Sequence, residues 1–446
     1  MIIRQSFHDA VSRGFSAQGL SAEVPSVWEF PHSIVYTDQS DLTPMKENID
    51  KLVVVPLTTW RPKVNELGIQ PPGPNLKYEG NDFFEAVDKM NFDFLFNTWG
   101  DGLPITPATP ERVAWILTGT DLDPEYVLPG LGRVQNLGGI PTVKSLAILL
   151  AMAGGRPEYF PVVLAIAQTM THEKWALGQM ISTTRSTFPA AVVNGTIGNQ
   201  IRLNSGYGCV GPDPRHPANA SIGRSIRFMM QILGEAAAGI GTMSNFGGNR
   251  FTNVVVAEDE EGIPPDWPTL GEDRGYKRGA NCVTVCGVGN WYCENLSVTS
   301  GGDAVLGSLN AMLPWLTSRG SPERTDFERP SGFIMFPDGF AKLCQAAGWS
   351  KMDVKTWIAE NCNRTTGENP LWAEGISNTW KPPYVYNAEQ VMIAVCGGEQ
   401  AQHTYIMNYQ TKASERLTTP IVLPKNWDAL LEQADKDLGP NPGHTA

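Results

Sequence analysis

Residues 190–234 read AAVVNGTIGNQIRLNSGYGCVGPDPRHPANASIGRSIRFMMQILG. Residues 190–193 have the length and apolarity of a buried strand that ends in Asn194-Gly195. At the far end, Ile222, Ile226, Met229, Met230 and Leu233 recur at three and four, the spacing of one helical face. Between them lies a loop rich in Gly, Asn, Ser and Pro. A strand, an irregular loop and an amphipathic helix in that order predict an α/β fold. A loop with so many glycines needs unusual backbone angles or a close backbone approach.

Gly206-Tyr207-Gly208-Cys209-Val210-Gly211 spells G-x-G-x-x-G, but Pro212, Pro214 and Pro217 follow, so no helix opens inside the motif as a dinucleotide fingerprint requires. The loop reads instead as a backbone wall against a small molecule, beside a helix whose first N–H groups attract negative charge. Asn194, Asn204, Ser205 and Asn219 supply uncharged hydrogen-bonding groups there, and Arg224 lies in the first turns of the helix. These five are the expected substrate-binding residues, with His403 beyond Gly397-Gly398 as a sixth. His216, between two prolines of the loop, is a further polar group with no assigned role.

Working outward, Thr142 caps VKSLAILLAMA, Gly154-Gly155 ends it and Pro157 opens EYFPVVLAIAQTM. Both segments are apolar nearly all round, which predicts a buried helical hairpin over residues 142–172. Residues 83–99 read as a helix, and Gly100-Asp101-Gly102 as a tight turn. Thr109 caps a helix beginning at Pro110. Further strands are expected over 251–257, 282–287, 332–336 and 390–396, and Ser350 with Asp353 forms an S-x-x-D cap.

At the N-terminus, a helix-like stretch over 6–18, an apolar run at 24–30, a helix at 42–50 and the strand-like LVVVP at 52–56 suggest a small parallel α/β unit. That unit opens on its helix, with no strand ahead of it. The expected organisation is a truncated small domain over 1–61, a Pro/Gly-rich linker over 62–80, a large α/β domain over 81–430 and a frayed tail over 431–446.

Composition narrows the function. Charged residues are 18% of 446, against about 25% in typical soluble domains. The net charge of −12 argues against nucleic acid or an anionic membrane as a partner. No apolar stretch is long enough to span a bilayer, and no leader is recognisable, so a cytoplasmic protein is expected. The seven cysteines are irregularly spaced and fit no zinc or C-x-x-C pattern. No metal site is signalled, and no motif identifies a cofactor. Cys282 and Cys286 read as buried small hydrophobes on a strand. Cys293 is expected beyond that strand in a turn, as the reactive thiol. Glu258, at a strand end, and Asp101, at its turn, are the candidate acid–base groups.

The motifs GDGLP (100–104), TPERV (109–113), TVK (142–144), MAGGRPEYFPVV (152–163), VVNG (192–195), LNSG (203–206), ANASIGRSIR (218–227), AEDEEG (257–262) and GWSKMDV (348–354) resemble, in this order, the UGSC-motif (seleno)protein family. The resemblance covers roughly residues 95–425; HDAV (8–11) and LVVVPLT (52–58) also resemble that family's small domain. It implies a bacterial protein whose large domain accompanies a small domain bearing a redox-type Sec/Cys-Gly-Ser-Cys motif. Here no such motif precedes His8, Gly155 stands in a Met-Ala-Gly-Cys position, and GVGNWYCEN (287–295) occupies the place of a His-Asn pair. The expectation is an enzyme performing redox or lyase chemistry at a carbon–heteroatom bond of a small polar substrate. It would be an oligomer in which a second polypeptide completes the N-terminal sheet. The alternatives are a non-catalytic subunit that positions a catalytic partner, and a metal-assisted hydrolase or hydratase with a site between subunits.

Overall fold

A computed structural model describes residues 2–3, 28–29, 43–59, 75–128, 139–175, 177–234, 236–237, 241–242, 244, 246–247, 252–295, 303–317, 333–365, 387–409 and 417–442. Two short strands, β1 (Ile2–Ile3) and β2 (Trp28–Glu29), pair in parallel. The main sheet contains β3 (Phe188–Asn194), β4 (Val254–Ala257), β5 (Cys282–Asn295), β6 (Phe333–Phe336), β7 (Ile393–Val395), β8 (His403–Tyr409) and β9 (Leu417–Pro420). Its order is β4-β3-β5-β8-β6-β7, with β9 also paired to β5. The sheet is mixed: β3 runs parallel to β4 and antiparallel to β5, and β6 runs parallel to β7 and antiparallel to β8. Val288 pairs with both Phe188 and Tyr409, and Cys282 with both Asn194 and Pro420. Strands β8 and β9 therefore follow one another along the same edge of β5.

The register of β5 shifts between Val288 and Asn290. Before the shift, Cys286 and Val288 lie opposite Ala190 and Phe188; after it, Cys293 lies opposite Tyr405. An extra residue reverses which parity faces which side, so one continuous face survives the bulge. That face carries Phe188, Ala190, Val192, Val256, Phe333, Met335, Ala394 and Met407, joined by Cys209 from the loop.

The other face is covered by helices in two groups. The described helices of eight residues or more are α1 (Phe83–Phe96), α2 (Pro110–Leu117), α3 (Val143–Met152), α4 (Phe160–Thr171), α5 (Pro217–Phe228), α6 (Ala304–Thr317), α7 (Asp338–Ala346), α8 (Lys351–Thr365) and α9 (Trp427–Leu438). Residues of α3, α4 and α5 pack on Ala191, Val193, Val255 and Val283. Residues of α6, α7 and α8 pack on Ile334, Phe336, Ile393 and Ile406. The helical hairpin is buried as expected: Leu146, Leu150, Val162 and Ile166 are almost wholly excluded from solvent, each contributing about 1.5–3 kcal/mol. The Thr142–Ser145 capping box starts α3, with Ser145 N–H donating to Thr142 Oγ1 at 3.1 Å and Thr142 N–H to Ser145 Oγ at 2.8 Å.

Three expectations are corrected. LVVVP is not a strand: residues Asp50–Val54 form one π-helical turn and Val55–Thr59 an α-helical one. The β-branched run favours a strand only where a neighbouring strand supplies ladder partners, and here Val54 and Val55 face solvent while the backbone bonds within its own turns. The N-terminal unit does not open on its helix, because β1 precedes residues 6–18 and pairs with β2. The helix at 6–18 and most of the linker lie outside the described residues. The tail expected to fray from 431 is helical to Leu438 and tied down, with Arg202 on Asp435 at 2.7 Å, Arg156 on Asp437 at 2.7 Å and Asn441 Nδ2 donating to Asn199 O at 2.7 Å.

Candidate functional site

The buried polar residues of the 194–219 stretch hold the fold together. Asn219 Oδ1 accepts from Asn204 N–H at 2.9 Å, and its Nδ2 donates to the carbonyls of Val255 (2.8 Å), Cys209 (3.1 Å) and Asn204 (3.3 Å). Asn204 Nδ2 donates to Tyr207 O and Asp213 Oδ2, and its Oδ1 accepts from Gly206 N–H. Ser205, fully buried, accepts Gly397 N–H on its carbonyl at 2.7 Å, which fixes the loop to the end of β7. Both asparagines border a small cavity of about 140 Å³ that also meets His216 and Asn253, but their amides are engaged by backbone groups and, for Asn204, also by the Asp213 carboxylate. These side chains shape the loop instead of reaching into the larger pocket described below.

Glu258 is a second internal node. Its Oε2 accepts from Asn194 Nδ2 at 2.6 Å and Leu270 N–H at 2.6 Å, and its Oε1 accepts from Val395 N–H at 3.0 Å. Asp259 N–H donates to Val395 O at 2.8 Å, so the ends of β4 and β7 meet there. Burial pushes the Glu258 carboxyl above its ordinary range, partly countered by Lys351 and these donors. Buried and held by these three donors, it clamps the strand ends together.

Asp101 and Arg224 are brought together, but with each other. The guanidinium grips the carboxylate bidentately at 2.8 Å on both arms and also donates to Pro104 O at 3.0 Å. The GDGLP turn is thereby fastened to α5, and Asp101 is 3% exposed. The pair is a structural cross-link away from the cysteines.

A different set of expected residues does converge. The 206–211 loop, Cys293, the Cys396-Gly397 end of β7 and the stretch through His403 to Tyr405 line one cavity of about 300 Å³. Its size is at the small end of ligand pockets. Cys293 does not sit in a turn, as expected, but within β5, opposite Tyr405 of β8; His403 lies opposite Asn295. Cys293 and His403 are therefore diagonal neighbours on one face, about 7–8 Å apart in the backbone and within side-chain reach. Both are exposed. At the other end of the cavity, Cys209 hydrogen-bonds Cys396, which with burial pushes the Cys396 thiol well above its ordinary value. Cys282 and Cys286 are buried on the strand, as expected, and burial with nearby Glu260 and Glu258 pushes the Cys282 thiol up to about 12. Among the described cysteines, Cys293 alone is exposed.

Sequence reasoning missed Cys209, Cys396 and Tyr405 as pocket residues. Cys396 ends an apolar strand and Cys209 lies in a glycine-rich loop; their contact spans far too much chain for any local pattern to signal it. Among the described residues no group of three or more His, Cys, Asp or Glu side chains is placed to hold a metal ion, and no helix is long and apolar enough to cross a membrane. Comparison with family models, curated proteins and solved structures found no match.

Proposed function

We propose that this chain is an enzyme acting on a small polar organic molecule held between the 206–211 loop and the ends of β5, β7 and β8, with Cys293 as nucleophile and His403 as its base. The observation that carries the reading is the convergence of three separate segments, the loop, Cys293 and Gly397–His403, on one cavity. His403 accepts the thiol proton as Sγ bonds to a substrate carbon. The carbon–heteroatom bond breaks, and the departing heteroatom takes the proton back from the imidazole. Water or a small thiol then displaces Sγ from carbon. If the incoming thiol attacks sulfur instead, the carbon leaves with the bonding pair and takes that thiol's proton, and a second equivalent of the thiol frees Cys293 from the mixed disulfide, so the same pocket supports redox chemistry with an external thiol as reductant. Cys396 is not placed to resolve the adduct, since it follows β7, three strands from Cys293, about 14 Å along the sheet at ordinary strand spacing. The resemblance to the UGSC-motif family supports the redox or lyase class.

The test is a mass-spectrometric screen for consumption of halo-, hydroxy-, amino- and sulfonyl-substituted small acids by the purified protein. A substrate should be consumed by the native chain and turned over about 100-fold or more slowly by Cys293→Ala. Undiminished turnover by that variant would remove Cys293 from the reaction.

A further inference from the structure

Helix α1 is apolar on two sides. Its inner side carries Met90, which is buried, and Phe94, which packs against the helical core. At about 100° per residue, Phe84, Asp88, Phe92 and Leu95 fall on the opposite side, with Phe96 at its edge. All five face solvent. Phe84 is 76%, Phe92 67% and Phe96 88% exposed; Phe83, with its ring 5.9 Å from that of Phe84, is 69% exposed. A helix that faces water normally turns polar residues outward. At about 200 Å² per ring, these four phenylalanines present roughly 600 Å² of apolar surface, the upper end of what a monomer exposes in one patch. Leu95 brings the stripe near the roughly 800 Å² that each partner of a stable dimer buries. The helix is also well anchored beneath it: Asp82 Oδ1 accepts from Glu85 N–H at 2.9 Å, and Asn91 Oδ1 accepts from Ile105 N–H at 2.8 Å. The stripe is therefore fixed in shape before anything docks on it.

The stripe is symmetric about its own middle. Phe84 and Phe96 lie equally far to either side of position 90, and so do Asp88 and Phe92. A two-fold axis at that level sets two copies of α1 antiparallel. Phe84 then meets the partner's Phe96 at both ends, and Phe92 lies beside the partner's Asp88. Self-complementarity of this kind is what a two-fold interface requires of one surface. We infer that this chain forms a two-fold dimer through the outer side of α1, with Phe84, Phe92 and Phe96 of each copy at its centre. Asp88, the charge on the stripe, opposes the pairing because docking strips its water.

Sedimentation velocity of the full chain over a concentration series tests this. The native protein should associate to twice the 48.7 kDa of one chain. Phe92→Asp and Phe96→Asp should each weaken association by about 30-fold or more. Both side chains point to solvent, so the circular dichroism of the variants should match the native chain. Asp88→Leu should tighten association by about fivefold. A native chain that stays monomeric, a dimer unaffected by Phe92→Asp and Phe96→Asp, or a looser dimer in Asp88→Leu would overturn the assignment. For a monomeric chain, hydroxyl-radical footprinting names the other occupant. Protection of Phe92 and Phe96 would place a segment of the same chain over the stripe, and reaction there would leave it to a different protein; either result contradicts the dimer.

Discussion

Asn219 uses every polar atom of its amide inside the fold, joining α5, the glycine-rich loop and β4 through one side chain. Asn219→Ala removes the partner of the buried Asn204 N–H and one donor from each of three carbonyls, of which Asn204 O keeps the Ala257 N–H. The variant should lose about 2–4 kcal/mol in urea unfolding at neutral pH. An effect near zero would show that the loop is not held by this amide. The sequence marked Asn219 as important through the density of hydrogen-bonding residues around it, but could not say what it touches. An asparagine facing a ligand and one facing three carbonyls look identical in one dimension. Glu258 and the Asp101–Arg224 pair are the same case: their positions at a strand end and a helix start are legible, while the partners that occupy them lie far away in sequence.

At the scale of elements, the glycines separate two roles. A Cβ on Gly223 would lie 1.6 Å from Thr252 O, because α5 packs directly on the backbone leading into β4. Gly208 has a φ of +73° and open space around it. Gly223→Ala should therefore cost about 3 kcal/mol or more through forced separation of α5 and β4. Gly208→Ala should cost only about 1–2 kcal/mol, from backbone strain. Parallel urea titrations of the two variants test this ranking, and equal losses would contradict the packing of α5. The hairpin and the strand cores were legible because their apolar runs and caps are local signals. The extent of β5 was not. GVGNWY looks like a turn, yet Gly287 serves close packing, since a Cβ there would approach Met180 Sδ at 3.2 Å. The strand continues through a bulge to pair with β8, and that pairing places Cys293 in the pocket.

For the whole molecule, the response to acid is divided between carboxyls shifted in opposite directions. Burial opposes ionisation of Asp213, but Arg215 N–H and His216 outweigh it and hold the carboxyl below its ordinary range. A carboxyl depressed on folding contributes stability above its unfolded pKa and loses it as pH falls through the folded value. Glu258 behaves the other way, since its raised carboxyl favours the folded state most below the ordinary carboxylate range and less as pH rises. Asp213→Asn should lower the melting temperature at neutral pH, and the gap to the native chain should close as the pH falls below about 4. A gap that stays constant into acid would show that Asp213 contributes by shape alone. The architecture as a whole, an α/β protein with a mixed sheet, follows from the sequence pattern. The meeting of β4 and β7 at Glu258 depends on long-range pairing that no local signal carries.

The central claim is that Cys293 and His403 act together on a molecule bound beside the 206–211 loop. Its most direct test is the alkylation rate of native protein by iodoacetamide near neutral pH, read cysteine by cysteine by peptide mapping, in the native chain and in His403→Gln. The account predicts that Cys293 is modified first, with Cys209, Cys282, Cys286, Cys344 and Cys396 protected. It also predicts that loss of the imidazole slows Cys293 by about tenfold. Rapid modification of the buried thiols, or a Cys293 rate unchanged by His403→Gln, would contradict it.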